Sequence, residues 1–253
     1  MIRAMIFDLD GTLVQTERLK ALSYARATAE LCPHQISEEQ VVEAFKDVVG
    51  LARQEVAQTL VDRFELQEKA PERMAEFGVS TPWQAFIQVR LQHYEAMLVD
   101  PQILLDNRWP HNLALLEEAR RAHCKTGLAT MSSCVQAQRV LEILDLRADF
   151  DFVATRDDVG QGKPDPEIYN LVASELVIPA QQCLVIEDSP AGVQAALAAG
   201  MWCIAVTTPF TRAAVHKRQL LSERWVVDEP DKLLMVVQEM LAERAVDLSL
   251  IHI

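Results

Sequence analysis

The sequence lacks an uninterrupted apolar run long enough to cross a bilayer, and it lacks the basic start and apolar stretch of a secretory signal. Basic residues are also scarce, since 24 Lys and Arg stand against 37 Asp and Glu, a net charge of −13. Nucleic acids and anionic membranes attract basic surfaces, so this balance predicts neither as a partner. A small anionic ligand stays compatible with it, because a bound divalent cation reverses the local field.

Paired cysteines are missing as well. The five cysteines are Cys32, Cys124, Cys134, Cys183 and Cys203. Their number is odd, no two form a CxxC pair, and several lie in or beside apolar runs. This pattern predicts reduced, buried thiols in a reducing compartment, which we expect to be cytoplasmic.

Short β-rich runs alternate with amphipathic segments from about residue 111 to the end of the 253-residue chain. The runs predicted as strands are 125–130, 150–154, 183–186, 202–206 and 225–227. The segments predicted as helices include 135–144, 167–176, 191–199 and a last one that starts near Leu233. Together with a first strand over 4–9, this alternation predicts a doubly wound parallel α/β sheet.

Residues 17 to about 100 interrupt that alternation and show no convincing strand. Apolar residues such as Val56, Leu60 and Phe64 recur there at helical spacing. We therefore predict a helical domain over 16–102, inserted into an α/β core domain of 1–15 and 103–253. A domain boundary opposite the end of the first strand is a common place for a ligand cleft.

Two carboxylates, Asp8 and Asp10, close the apolar first strand, and Gly11 follows them. In a strand, positions two apart face the same side, so the two acids should repel each other at a buried strand end. Such a pair is kept where a cation lies between the carboxylates or where one of them exchanges a proton. The pair therefore predicts a metal-assisted site.

Polar residues also follow three other predicted strands. Thr130 ends one, Lys163 lies between a strand and a helix, and Glu187 and Asp188 directly follow a third. The carboxyl ends of parallel strands share one edge of the sheet, so these side chains can converge. Oxygen ligands without His or Cys suit Mg²⁺, while a lysine, a hydroxyl and two acids are the groups that phosphoryl transfer needs.

The motifs DLDGT at 8–12, GKPDPEIY at 162–169 and IEDSPAGVQAA at 186–196 resemble those of the haloacid dehalogenase (HAD) superfamily. The order and spacing are similar to the subgroup with a helical cap, and within it to phosphatases and beta-phosphoglucomutases. The resemblance covers nearly the whole chain. It implies a Rossmann-like (HAD-like) core with the cap inserted after the first motif.

The resemblance also implies roles for catalytic residues. Asp8 is expected to be the nucleophile that becomes an aspartyl phosphate, and Asp10 the general acid and base. Thr130 is expected to hydrogen-bond the phosphoryl group, and Lys163 to pair with Asp8 and the phosphoryl oxygens. Ser132 is predicted to contact the substrate.

A Mg²⁺ cofactor is implied with its ligands. Asp8, the backbone carbonyl of Asp10 and the Asp188 carboxylate are expected to bind the ion, with Glu187 supporting its water shell. Each residue taken alone has an ordinary structural interpretation: Asp188 as a helix cap, Lys163 as a solvated loop lysine and Glu187 as a solvent-facing acid.

The cap supplies the remaining predicted substrate-binding residues, Lys20, Arg53 and Arg90. Arg53 ends the segment Gly50-Leu51-Ala52-Arg53, which resembles the part of beta-phosphoglucomutase that contacts a distal phosphate. Lys20 falls where that mutase usually has a histidine, which is a departure from its pattern. The alternative is that all three cations lie on solvated helix faces.

These expectations favour a Mg²⁺-dependent phosphatase of small phosphorylated metabolites, acting as a monomer or homodimer. Thr12 favours a hydrolase, because the mutases often have a smaller or apolar residue there. A hexose-phosphate mutase of the same fold is the alternative enzyme. A non-catalytic metabolite-binding protein is a third possibility, against which the intact set of acids and lysine argues.

Overall fold

The computed structural model describes residues 1–32, 36–49, 51 and 53–249. The chain divides into two compact units, one of residues 1–15 and 104–253 and the other of residues 16–103. No helix in the described part of the chain is long and apolar enough to span a membrane.

The first unit is built on a six-stranded sheet. Its strands are β1 (Ala4–Phe7), β2 (Lys125–Ala129), β3 (Phe152–Ala154), β4 (Cys183–Glu187), β5 (Trp202–Val206) and β6 (Val226–Val227). Their order across the sheet is β3-β2-β1-β4-β5-β6, and every neighbouring pair is parallel. The predicted parallel α/β sheet is confirmed, with β1 in its interior between β2 and β4.

The second unit contains helices joined by turns, with no strand among its described residues. Its helices are α1 (Thr16–Leu31), α2 (Glu38–Lys46), α3 (Arg53–Arg63), α4 (Pro71–Phe77) and α5 (Pro82–Met97). Ser37 starts α2, because its hydroxyl accepts the Gln40 N–H while the Gln40 side chain accepts the Ser37 N–H. The rings of Tyr24, Phe45 and Phe86 pack together in the interior of this unit.

The remaining helices return the chain between strands. They are α6 (Pro101–Asp106), which crosses from the second unit to the first, then α7 (Pro110–Arg121), α8 (Cys134–Ile143), α9 (Glu167–Leu176), α10 (Pro190–Ala198), α11 (Arg212–Arg218) and α12 (Leu233–Ser249). Ile6 of β1 is fully buried in one core cluster with Ile168 and Val172 of α9. Buried apolar contacts of this kind hold the helices against the sheet and fix its strand ends.

Five strand limits differ from the sequence-based prediction. Two of them differ by one residue at a carboxyl end, since β2 ends at Ala129 instead of 130 and β4 at Glu187 instead of 186. β1 ends at Phe7 instead of Leu9, because the chain turns after Asp8. β3 starts at Phe152 instead of 150, because the Asp151 carboxylate accepts the Thr126 N–H at 2.8 Å, next to the ladder. Trp225 belongs to a 3₁₀ turn and not to β6, since its N–H donates to the Ser222 carbonyl.

Candidate active site

The acidic pair lies just beyond β1, in a tight turn. The Asp8 N–H still donates to the Ile186 carbonyl of β4 at 3.0 Å, so Asp8 extends the ladder by one residue. The turn then closes when the Gly11 N–H donates to the Val14 carbonyl at 2.8 Å. Gly11 has φ of +87°, which only glycine adopts readily. The turn, and not strand alternation, therefore sets the relative placement of Asp8 and Asp10.

Lys163 joins two of the predicted site residues. Its Nζ donates to Asp8 Oδ1 at 2.8 Å, to Glu187 Oε1 at 2.6 Å and to the Ala129 carbonyl at 3.0 Å. Only 5% of its side chain is exposed, so the alternative of a solvated loop lysine is wrong. With three acceptors at the ends of three neighbouring strands, all three donors of the ammonium are used.

Glu187 is buried and fully engaged. Its Oε1 accepts from Lys163 and from the Tyr169 hydroxyl at 3.0 Å. Its Oε2 accepts from the Asp188 N–H at 2.8 Å and from the Ser189 N–H and hydroxyl at 2.9 and 3.1 Å. Because the side chain is 99% buried behind these contacts, the alternative of a solvent-facing acid is wrong.

The start of α10 is shaped around that carboxylate. Ser189 caps the helix by accepting the Gly192 N–H at 3.1 Å. A Cβ at position 192 would lie 1.6 Å from Glu187 Oε1 and 1.9 Å from its Cδ. Glycine is therefore the residue that fits at 192, and the Glu187 side chain lies against the first turn of α10.

Burial and charge act together on these groups. Burial raises the pKa of Asp8 to about 7; the Lys163 charge opposes the shift, and repulsion from Glu187 and Asp10 adds to it. Burial also favours neutral Glu187, but Lys163 and the surrounding donors outweigh this effect and keep its pKa below the ordinary value. The pKa of Lys163 is raised, since attraction to Asp8 and Glu187 exceeds the effect of burial.

Asp10 has hydroxyl neighbours at the end of β2. The Ser132 hydroxyl donates to Asp10 Oδ2 at 2.5 Å, and the Thr130 hydroxyl lies 3.4 Å from the same oxygen. Thr130 Oγ1 in turn accepts the Ser132 N–H at 3.1 Å. These contacts hold one oxygen of Asp10 towards β2, beside the Asp8–Lys163 pair.

The chemistry of the acids fits a hard divalent cation. Asp8, Asp10, Glu187 and Asp188 bring four carboxyl groups to adjoining strand ends, against one lysine. No group of three or more His, Cys, Asp and Glu side chains suited to a metal is found in the described part of the chain. A ligand set of two carboxylates, from Asp8 and Asp188, with the Asp10 carbonyl and water suits Mg²⁺, which usually keeps several waters.

Lys20, Arg53 and Arg90 belong to the helical unit. Arg90 of α5 is only 4% exposed, and its guanidinium carbon lies 4.6 Å from the Tyr94 ring centroid and 5.1 Å from that of Tyr24. The alternative of a solvated face is therefore wrong for Arg90. Arg53 at the start of α3 is exposed and Lys20 of α1 is half-buried. Gly50 and Ala52 lie outside the described residues.

Two residues around Lys163 escaped the sequence-based prediction. They are Tyr169 of α9 and Gly192 of α10, to which the sequence analysis gave no role. Both stand inside the motifs that carry Lys163 and Glu187, six residues after the lysine and five after the glutamate. Their position in these motifs was the one sequence signal that could have pointed to Tyr169 and Gly192. Their roles become clear only from the side-chain contacts.

Comparison with known proteins gives consistent results. A family model described as haloacid dehalogenase-like hydrolase matches residues 2–200. A phosphorylated carbohydrates phosphatase of Thermotoga maritima is 31% identical over 200 residues, 79% of this chain and 82% of its own. A beta-phosphoglucomutase of Bacillus subtilis is 27% identical over 239 residues, 88% of this chain and 96% of its own. The crystal structure of CbbY from Rhodobacter sphaeroides in complex with phosphate matches with a TM-score of 0.62 and 26% identity, over 84% of this chain and 89% of its own.

Proposed function

The chain belongs to the haloacid dehalogenase-like hydrolases, and on that premise we propose that it is a Mg²⁺-dependent phosphatase of small phosphorylated metabolites. The observation that carries the proposal is the buried Asp8–Lys163–Glu187 group, with Asp10 beside it. A nucleophilic carboxylate, a fixed cation and a second carboxylic acid are the groups that an aspartyl-phosphate mechanism requires.

In the first half-reaction, an Asp8 carboxylate oxygen attacks phosphorus and the bond from phosphorus to the ester oxygen breaks. Asp10 gives its proton to the departing oxygen, so the product leaves as an alcohol. The hydroxyl contacts of Asp10 with Ser132 and Thr130 support this role, because they hold its carboxyl group in place beside Asp8 and Lys163.

In the second half-reaction, Asp10 takes a proton from water, whose oxygen attacks phosphorus and breaks the bond to Asp8. Inorganic phosphate leaves and both carboxyl groups return to their first state. Lys163, already bonded to Asp8 Oδ1, is placed to bind the phosphoryl oxygens as their charge changes. Its two carboxylate partners keep it protonated in a buried site.

Mg²⁺, held by Asp8, the Asp10 carbonyl and Asp188, would neutralise charge on the phosphoryl oxygens. Glu187 would act on the ion's water shell only if one of its present partners were displaced, since both of its oxygens already accept hydrogen bonds. We therefore assign Glu187 mainly to Lys163.

The substrate class is a small phosphorylated metabolite, and a sugar phosphate is favoured because a relative is a phosphorylated carbohydrates phosphatase. Arg53 is exposed on α3, and a contact between it and the substrate would favour a substrate with a second anionic group. A hexose-phosphate mutase is the second candidate, favoured by the beta-phosphoglucomutase relative, which the alignment covers almost end to end. The five cysteines, all without disulfides, support a cytoplasmic location.

The test is phosphate release from a panel of phosphate esters, with and without Mg²⁺, by the wild type and by Asp8→Asn. We expect Asp8→Asn to lose at least about a thousandfold in rate, because an amide is no nucleophile here. Asp145→Asn is the matched control. Position 145 is exposed and has φ of +55°, which asparagine tolerates, so this variant should keep full activity.

The panel includes both anomers of glucose 1-phosphate, with glucose 6-phosphate measured as a product. Phosphate release that is lost in Asp8→Asn would support the phosphatase. Glucose 6-phosphate formed without phosphate release, and only with a bisphosphate primer, would show a mutase. Undiminished turnover by Asp8→Asn would exclude Asp8 as the nucleophile.

A further inference from the structure

Tyr169 is a buried polar residue that the proposed mechanism leaves without a role. It is fully buried in α9, and its hydroxyl donates to Glu187 Oε1 at 3.0 Å. The same glutamate oxygen accepts the Lys163 ammonium at 2.6 Å. Tyr169 and Lys163 therefore donate to the same oxygen atom, and each hydrogen bond weakens the other.

The tyrosine also touches the lysine directly. Lys163 Nζ lies 4.9 Å from the centroid of the Tyr169 ring, within the range of a cation–π contact. The Tyr169 ring packs against the Lys163 ammonium, and the Tyr169 hydroxyl donates to Glu187, which also binds that ammonium. One side chain thus contacts both members of the Lys163–Glu187 ion pair.

A second, independent observation shows that Glu187 is fixed in this arrangement. Its Oε2 accepts three hydrogen bonds from Asp188 and Ser189, and Gly192 leaves room for the carboxylate where a Cβ would lie 1.6 Å from Oε1. Because Glu187 is held at Oε2, it cannot easily rotate when a hydrogen bond to Oε1 is lost. Such a loss therefore alters the bond between Oε1 and Lys163.

We propose that Tyr169 is a positioning residue, which acts through Glu187 to keep Lys163 on Asp8. The role rests on the proposed function, since it concerns the lysine that binds the transferred phosphoryl group. The Tyr169 hydroxyl takes up part of the charge on Oε1, so Glu187 binds Lys163 less strongly. The ammonium then stays within 2.8 Å of Asp8 Oδ1, where the phosphoryl oxygens arrive.

Tyr169→Phe isolates the hydroxyl, because it keeps the ring and its contact with Lys163. Without the hydroxyl, Glu187 should hold Lys163 more tightly and draw it from the phosphoryl group. We expect kcat to fall about tenfold while KM changes less than twofold, since the lysine contact is strongest in the transition state. The thermal unfolding midpoint of each variant shows that the assay temperature stays below unfolding.

A double-mutant cycle with Glu187→Gln tests the route through Glu187. A neutral amide no longer draws the ammonium by charge, so Tyr169→Phe should change kcat less than twofold in that background. An equal loss of kcat in both backgrounds would overturn the inference, because Tyr169 would then act by another route.

If Glu187→Gln does not fold, inhibition by orthovanadate provides the test instead. Orthovanadate imitates the phosphoryl group during its transfer. The inhibition constant should rise about tenfold in Tyr169→Phe, with the constant for inorganic phosphate changed less than twofold. An unchanged vanadate constant, or unchanged kcat, overturns the positioning role alone. Absence of wild-type turnover on every ester would instead overturn the proposed function.

Discussion

Gly192→Ala sets helix propensity against packing at the start of α10. Alanine is the better helix former by about 1 kcal/mol, so propensity alone predicts a more stable protein. The new Cβ, however, would lie 1.6 Å from Glu187 Oε1, 1.9 Å from its Cδ and 2.4 Å from Oε2. An ordinary contact needs more than 3 Å, so the carboxylate has to move.

The cost follows from what that movement breaks. Oε1 accepts from Lys163 at 2.6 Å and from Tyr169 at 3.0 Å. Hydrogen bonds to a charged group contribute about 1.5–3 kcal/mol each, and a buried donor left without its acceptor adds to the loss. After the gain in helix propensity is subtracted, we expect Gly192→Ala to lower the free energy of unfolding by about 3 kcal/mol.

Thermal and urea unfolding measure this loss, and a change of about 3 kcal/mol should lower the midpoint by roughly 6–12 °C in a chain of this size. Gly160→Ala is the matched control. A Cβ at position 160 would meet only Glu167 oxygens, at 3.6 and 3.7 Å, so stability should stay within about 0.5 kcal/mol. A Gly192→Ala protein as stable as the wild type, or more stable, would refute the steric argument.

Two further predictions concern stability away from the site. Val177 ends α9 with φ of +57° and is 83% exposed, so Val177→Gly should raise the free energy of unfolding by about 1 kcal/mol in urea. Partial burial raises the pKa of Asp228, but hydrogen bonds from Thr207 and His216 lower it overall from 3.8. The ionised Asp228 therefore stabilises the fold above pH 3.8, its ordinary pKa, and this stabilisation is lost as the pH falls through the lowered pKa. Thr207→Val should destabilise the protein more at pH 7 than at pH 3 in urea unfolding.

The outcomes that would contradict these two predictions are distinct. An unchanged or lower stability of Val177→Gly would mean that the left-handed conformation carries no strain there. A Thr207→Val effect that is equal at both pH values would mean that its bond to Asp228, 2.6 Å long, does not depend on the charge of the carboxylate.

Local signals predicted the interior elements well. The strand Trp202–Val206 and the helix Glu167–Leu176 have the limits expected from the sequence. Their patterns are short apolar runs or helical repeats bounded by turn residues, and such signals need no distant partner. Errors occurred at strand ends, where a side chain such as Asp151 takes a backbone N–H from the ladder.

Long-range contacts decide between the alternatives that the sequence left open in the candidate site. Whether a lysine or arginine such as Lys163 or Arg90 is solvated depends on what packs over it, which local sequence does not show. Tyr169 was missed for the same reason. Its apolar helix face predicts burial, whereas its hydroxyl contact with Glu187 joins residues 18 positions apart.

Local sequence patterns were enough to predict the kind of fold and the order of the polar groups after the strands. Apolar periodicity and turn residues are local properties, and a parallel sheet brings the carboxyl ends of its strands to one edge. Which of those groups bind each other depends on contacts between distant parts of the chain. Lys163 meets Asp8 across 155 positions of sequence, and Glu187 faces that lysine because α10 is glycine at its third position. Side-chain direction follows from packing between distant elements, and no local pattern encodes it.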